Sequence, residues 1–249
     1  MKPGPASLTR HSGEWEALAA GDALWAVSGK RGWEVDDFMA TGELEVAHVF
    51  DVAAELGLPA QWDAALDFGC GLGRLTRALA GRFERCESVD VSQRMVEHAR
   101  RLNGDLANCA FRVSDRSDLS YFDSEIFDVV YSSFVLQHLP SRELAAGYIR
   151  EFLRVVRPDG LVVFQMPDRL SRRNRLQLRR RLYSGLQRVG LPAGALRFLR
   201  LHPVRMIALS QGDVEEIVTR AGGAVLSVEL VDAANALSGY RYYAVSERS

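Results

Sequence analysis

The feature that most narrows what this chain can fold into is an apolar run leading straight into a glycine-rich turn: Ala65-Leu66-Asp67-Phe68-Gly69-Cys70-Gly71-Leu72-Gly73-Arg74. Glycine lets the chain turn sharply and lets backbone approach a ligand closely. The helix expected to follow offers unbonded N–H groups at its first turn. The pattern is Asp-x-Gly-x-Gly-x-Gly. It is not the dinucleotide fingerprint, which would need glycine where Arg74 stands, and no Gly-Lys-Ser/Thr follows to make a phosphate loop. An acid at the strand end suits a ligand with a cationic group better than a pyrophosphate.

Around this turn, short apolar runs alternate with amphipathic stretches. Strands are expected at 64–68, 86–91, 110–113, 127–132 and 161–166, with helices at 44–56, 73–83, 93–103 and 141–154. Pro158-Asp159-Gly160 reads as a turn. Near the end, a helix over 213–221 is closed by Gly222-Gly223, and 224–231 and 240–245 read as an antiparallel pair. Residues 1–40 read as irregular. Strands apolar on both faces imply a parallel sheet covered by helices on both sides. The expected fold class is therefore α/β: a doubly wound, mostly parallel seven-stranded, Rossmann-like sheet with a helical insert after the fifth strand. The expectation is one domain over 1–249. It comprises an N-terminal arm or lid (1–60), a ligand-binding core (61–167), an arginine-rich insert (168–205) and a C-terminal helix with edge strands (206–249).

Asp90 lies 17 residues after Gly73, at the expected end of the second strand. An acid there accepts both hydroxyls of a ribose in doubly wound folds, its two oxygens matching a vicinal diol. The competing reading is a cap on the helix that starts near Ser92.

In these motifs the sequence resembles the class I S-adenosylmethionine-dependent methyltransferases of the small-molecule type, over about 64–166. The resemblance implies the cofactor S-adenosyl-L-methionine and the product S-adenosyl-L-homocysteine. It implies that Asp67, Gly69, Cys70, Gly71 and Gly73 hold the methionine part and that Asp90 and Val91 hold the ribose. Ser114, Asp115 and Arg116 would lie beside the adenine, and Ser132 and Ser133 at the end of the fourth strand beside the reacting methyl. Relatives often have Gly-Asp where this chain has Ser114-Asp115, which leaves Asp115 less secure than Asp90. Arg157-Pro158-Asp159-Gly160 is similar to the loop before the family's fifth strand.

The acceptor is approached by exclusion. The fourth strand continues Tyr131-Ser132-Ser133-Phe134-Val135-Leu136-Gln137-His138-Leu139-Pro140. It lacks the Asn/Asp-Pro-Pro-Tyr/Phe of exocyclic-amine DNA methylation and the Pro-Cys of pyrimidine C5 methylation. The only lysines are Lys2 and Lys30, too few for a ribose 2′-O tetrad. No acid ends the strand to hold magnesium, and no metal site is expected. His138 remains, either as a base for an acceptor hydroxyl or amine or as a residue that packs its short helix; Gln137 would be a polar wall. Trp25, Lys30 and Arg31 are candidate substrate contacts in the arm. The insert carries 11 arginines, Arg172 and Arg175 among them, against the single acid Asp168, in a chain of net charge −1. That basicity fits an anionic or carrier-bound small molecule, or a solvated helix; nucleic acid and membrane contact are disfavoured. A non-catalytic scaffold and a nucleic-acid methyltransferase stay open as rivals. Three cysteines without a CxxC pair, no run of about 20 apolar residues and no signal-like N-terminus lead to the expectation of a cytoplasmic protein.

Overall fold

The computed structural model describes residues 5–114, 116–170, 176–199, 201, 203–233 and 237–247. Three helices come first: α1 (Pro5–Ala19), α2 (Ala23–Ser28) and α3 (Val35–Glu55). The core follows as β1 (Ala64–Phe68), α4 (Arg74–Ala80), β2 (Arg85–Asp90), α5 (Gln93–Leu102), β3 (Cys109–Val113) and β4 (Phe127–Ser132). It continues through a 3-10 turn (Leu136–His138) into α6 (Arg142–Val155) and β5 (Val156–Pro167). The remainder is α7 (Leu178–Arg188), α8 (Ala193–Phe198), α9 (Gln211–Arg220), β6 (Gly223–Ala233) and β7 (Leu237–Ser246).

The seven strands form one sheet in the order β3-β2-β1-β4-β5-β7-β6. The first five are parallel, and β7 runs antiparallel to both of its neighbours. Strand order reverses between β1 and β4, and their carboxyl ends open the crevice where such sheets bind ligands.

The apolar runs are continuous because both faces of the sheet are covered. Alternate side chains of β5 go to opposite layers. Val162 and Phe164 join Tyr148, Phe152 and Tyr242 on the α6 and α9 side. Leu161 and Val163 join Val46, Val49, Phe50 and Tyr243 on the α3 and α4 side. Within α6, Leu144, Ala145, Tyr148, Ile149 and Phe152 are all buried, the one-sided spacing of a helix laid on a sheet.

Two expectations change. Residues 5–40, expected to be irregular, are largely helical, with α1 and α2 docked on the core. The Pro158-Asp159-Gly160 turn lies inside β5. Phe127 pairs with Val156 but Val129 pairs with Leu161, so the intervening residues bulge from the ladder and the strand resumes.

Asp128 ties this region together. Its buried carboxylate accepts the backbone N–H groups of Asp63 (2.9 Å) and Ala64 (2.7 Å) at the entry to β1. Its other oxygen accepts from Arg157 at 2.6 Å. Removing it strands two backbone donors, while Arg157 keeps Asp63 and Gln61, so Asp128→Ala should lower unfolding free energy by about 1–3 kcal/mol. Urea denaturation checks this; a loss under about 0.5 kcal/mol would show that the clamp is dispensable.

Candidate functional site

The glycine turn is a cradle built by its neighbours. Gly69, Gly71 and Gly73 have φ of 79°, 53° and 83°, a region that side chains oppose. A Cβ on Gly69 would lie 2.2 Å from Val135 Cγ2, and one on Gly71 would lie 2.8 Å from Val27 Cγ1. The backbone N–H groups of Gly69 and Cys70 both donate to the Val89 carbonyl, at 2.8 and 3.0 Å. Asn103 closes the far side by donating to Leu72 O at 3.0 Å.

Asp90 completes the cradle. One carboxylate oxygen accepts the Gly71 N–H and the other the Ser92 N–H, each at 2.9 Å. A carboxylate has further lone pairs on both oxygens, so each keeps a place for a ligand hydroxyl. The cap of α5 is Ser92, whose side chain accepts from Met95 N. Burial pushes the Asp90 pKa up against its three backbone hydrogen bonds, and the charge of Glu16 adds to the rise.

A cavity opens above this cradle, enclosing about 1050 Å3 with its mouth included. Its inner wall includes Gly69, Cys70, Gly71, Asp90, Val91 and Ser114. Its outer wall includes Ser133, Phe134, Val135 and His138. Phe134 holds a positive φ of 59°, a strained conformation for a bulky residue that turns the chain after β4 into the cavity rim. His138 Nδ1 lies 3.0 Å from the Arg205 carbonyl. A carbonyl only accepts, so Nδ1 carries the hydrogen and Nε2 is the accepting nitrogen, with the Gln137 amide nitrogen 3.5 Å from it.

The N-terminal helices form the roof. Leu8, His11 and Trp15 of α1 line the cavity with Val27 of α2. Trp15 meets His138 edge-on at 5.6 Å between ring centroids. Three contacts seat α1: Ser12 Oγ donates to Val91 O at 2.9 Å, Ser92 Oγ to Glu16 at 2.6 Å, and Arg94 pairs with Glu16 at 3.0 Å.

A buried ion network braces the outer wall from α3. Glu45 pairs with Arg74 at 2.8 Å and accepts from Tyr131 Oη at 2.8 Å and Ser133 Oγ at 2.6 Å. Burial alone would raise the Glu45 pKa; Arg74 and the Ser133 and Tyr131 hydroxyls outweigh it and hold the carboxyl below its ordinary value.

The structure thus gathers Gly69, Cys70, Gly71, Asp90, Val91, Ser114, Ser133 and His138 around one cavity. Other candidates stand apart from it. Asp67 sits beneath the cradle, accepting from Thr76 Oγ1 at 2.7 Å. Its other oxygen is buried with no partner among the described residues, and burial pushes its pKa up to about 6 despite Thr76 and Arg74. Gly73 packs on Asn103, where a Cβ would lie 2.4 Å from Nδ2. Arg116 is exposed and donates to Ser120 Oγ, and Ser132 is buried within β4. The buried Gln137 accepts the Ile207 N–H at its backbone carbonyl (2.7 Å). Trp25, Lys30 and Arg31 are not among the cavity residues, and Lys30 Nζ lies over the Trp33 ring at 4.2 Å. Asp115, Arg172 and Arg175 lie outside the described residues. Sequence reading passed over His11, Trp15, Glu45 and Arg74. The Leu8, His11, Trp15, Leu18 spacing marks one helical face and was the available signal for the first two. Among the described residues, no group of three or more His, Cys, Asp or Glu is placed to hold a metal, and no helix is long and apolar enough to cross a membrane.

Comparison with known proteins agrees with this geometry. Residues 66–164 match the family described as Methyltransferase domain. A trans-aconitate 2-methyltransferase of Methylobacterium radiotolerans is 32% identical over 55% of this chain and 51% of its own length. A 2-methyl-6-phytyl-1,4-hydroquinone methyltransferase of Synechocystis is 35% identical over 39% of this chain and 30% of its own. The chain therefore spans about half the length, or less, of these curated relatives. A magnesium protoporphyrin IX methyltransferase of Synechocystis, solved with bound S-adenosylhomocysteine, superposes with a TM-score of 0.64 at 18% identity, covering 96% of this chain and 99% of that one. Residues 66–164 are thus similar to that methyltransferase domain, and the fold is that of the class I S-adenosylmethionine-dependent methyltransferases.

The roof has a pH signature. Burial, then the charges of His138 and Arg205, lower the His11 pKa from 6.5 to about 4. The folded protein keeps His11 neutral where the unfolded chain takes up a proton. Its contribution is whole above pH 6.5 and is lost as pH falls toward 4, up to about 3 kcal/mol. His11→Phe removes this loss, so the variant should gain stability relative to the parent as pH drops from 7 to 4. Asp67 acts with the opposite sign and cancels in that difference. A difference constant with pH would refute the burial of a neutral His11.

Proposed function

We propose that this chain transfers a methyl group from S-adenosylmethionine to an oxygen or nitrogen of a small metabolite, a class that includes anionic and carrier-bound molecules. The carrying observation is the convergence of the glycine cradle, Asp90 and His138 on one cavity at the switch point between β1 and β4. The residues present fit that cofactor. Gly69 and Gly71 keep a left-handed turn that any side chain would drive into Val135 and Val27, which leaves bare backbone on the cavity wall, and both Asp90 oxygens keep acceptor capacity for a diol. When bound, S-adenosylmethionine supplies an electrophilic methyl on a sulfonium.

The chain's own contribution is positioning, exclusion of water and removal of one proton. Asp90 holds the ribose side, the backbone of the cradle holds the amino-acid side, and Ser114 borders the base. Methyl transfer is an in-line displacement, so alignment accounts for much of the rate. His138 Nε2 takes the acceptor's proton, with the Arg205 carbonyl fixing its tautomer and Trp15 packing its ring. Helices α1 and α2 act as a lid that keeps water from the reacting groups. Relatives named for trans-aconitate and malonyl-[acyl-carrier protein] fit the acceptor class.

Calorimetric titration should give saturable binding of S-adenosylhomocysteine, and Asp90→Asn should weaken it roughly tenfold or more. Unchanged affinity in that variant would remove the ribose assignment. With an acceptor in hand, His138→Gln should lower kcat by about 100-fold while cofactor affinity holds. An unaltered kcat would return His138 to a packing role.

A further inference from the structure

A second cavity lies on the other flank of α1. Leu8, His11 and Trp15 face the reaction cavity. Arg10, Glu14 and Ala17, one helical face away, look instead across a cleft at Arg180, Ser184 and Arg188 of α7. The cleft encloses about 880 Å3, its mouth included. It closes where Arg180 Nε donates to the Pro203 carbonyl at 3.1 Å.

The charges here are unbalanced. Glu14 lies 3.6 Å from Arg180, both about four-fifths buried. It also feels Arg205 and Arg10, yet burial still raises its pKa. Arg205 shows the surplus from the other side. Burial, then repulsion from Arg180 and Arg10, lowers its pKa, with Glu14 opposing. Guanidinium groups crowd together around one carboxylate in a partly desolvated cleft. Such a set is matched by an oxyanion, which guanidinium binds through paired, charge-assisted hydrogen bonds.

We propose that this cleft is an oxyanion subsite for the methyl acceptor: Arg10 and Arg180, which line it, hold its carboxylate or phosphate, with the charge of Arg205 added from beside the cleft, while the atom to be methylated faces His138. The proposal rests on the reading of the neighbouring cavity as a methyl-transfer site. Arg205 joins the two. Its guanidinium donates to the Pro140 carbonyl, its own carbonyl receives His138 Nδ1, and its charge reaches both Glu14 and His11. An anion settling on Arg205 therefore bears on the base directly. The subsite selects elongated, anionic acceptors over neutral ones of the same size.

The test titrates the full chain, saturated with S-adenosylhomocysteine, with inorganic phosphate and separately with tricarballylate at constant ionic strength. Saturable binding of either is expected, together with a shift of the His138 imidazole resonances. Tighter phosphate points to a phosphorylated acceptor, and tighter tricarballylate to a carboxylate. Arg10→Gln and Arg180→Gln should each weaken binding roughly tenfold, whereas Glu14→Gln should strengthen it. Opposite signs separate an anion site from a structural ion pair, whose loss from either side acts alike. S-adenosylhomocysteine binding by each variant reports that it is folded. No saturation with either anion, the same sign for all three variants, or a silent His138 overturns the subsite. Failure of the parent chain to bind S-adenosylhomocysteine overturns the methyl-transfer reading instead.

Discussion

Every feature of the site depends on how the turn after β1 is tied to the end of β2. The Val89 carbonyl takes two N–H groups of the turn and the Asp90 carboxylate takes a third, so three backbone donors of the turn are bonded to two adjacent residues of the neighbouring strand. A turn held at this density cannot relax away from the sheet, and its left-handed glycines cannot be exchanged without pushing on Val135 or Val27. Those two residues belong to the cavity's outer rim and its roof. The turn is thus a floor against which the wall from β4 and the lid from α2 are both set, and the parallel pairing of β1 with β2 and β4 transmits that setting to the rest of the sheet.

What could be read from sequence follows from this arrangement. Strands buried on both faces announce themselves as apolar runs, and a turn needing positive φ at alternate residues announces itself as glycine. The fold, the cradle and Asp90 were legible for these reasons. Phe127–Ser132, Leu161–Met166 and the glycines of the turn carry local signatures that survive any change in the periphery.

The roof was illegible because its stability is tertiary. The Leu8, His11, Trp15, Leu18 face of α1 and the Asp22 and Gly29 caps of α2 are local signals, but what seats α1 is Ser12 on Val91 and Glu16 on Ser92 and Arg94, contacts that span more than 75 residues of sequence. No window of sequence contains both partners. Glu45 escaped notice for the same reason: its partners come from α4 (Arg74), from β4 and the residue after it (Tyr131 and Ser133) and from β7 (Arg241), and a glutamate in a helix otherwise reads as solvated surface. Asp67 shows the converse error. A motif position named the residue correctly as part of the turn, but periodicity could not say that its carboxylate points beneath the floor toward Thr76.

The carboxylates around the cavity also explain its polarity. Asp67 and Asp90 are raised by burial, while Glu45 is lowered because Arg74 sits on it. The Arg74 guanidinium is engaged by Glu45 and Glu16 by Arg94, which leaves Asp67 and Asp90 to give the floor its negative character. At the opposite end burial, and after it neighbouring positive charge, lowers both His11 and Arg205. An acidic floor in the reaction cavity thus faces, across the roof helix, a basic rim at the neighbouring cleft. A ligand bearing a positive centre is drawn to the floor and an anionic one to the rim, so each end repels the other's occupant. Under the proposed reaction, the methyl donor and its acceptor would be sorted by charge before any shape-specific contact is made, with His138 at the boundary between them.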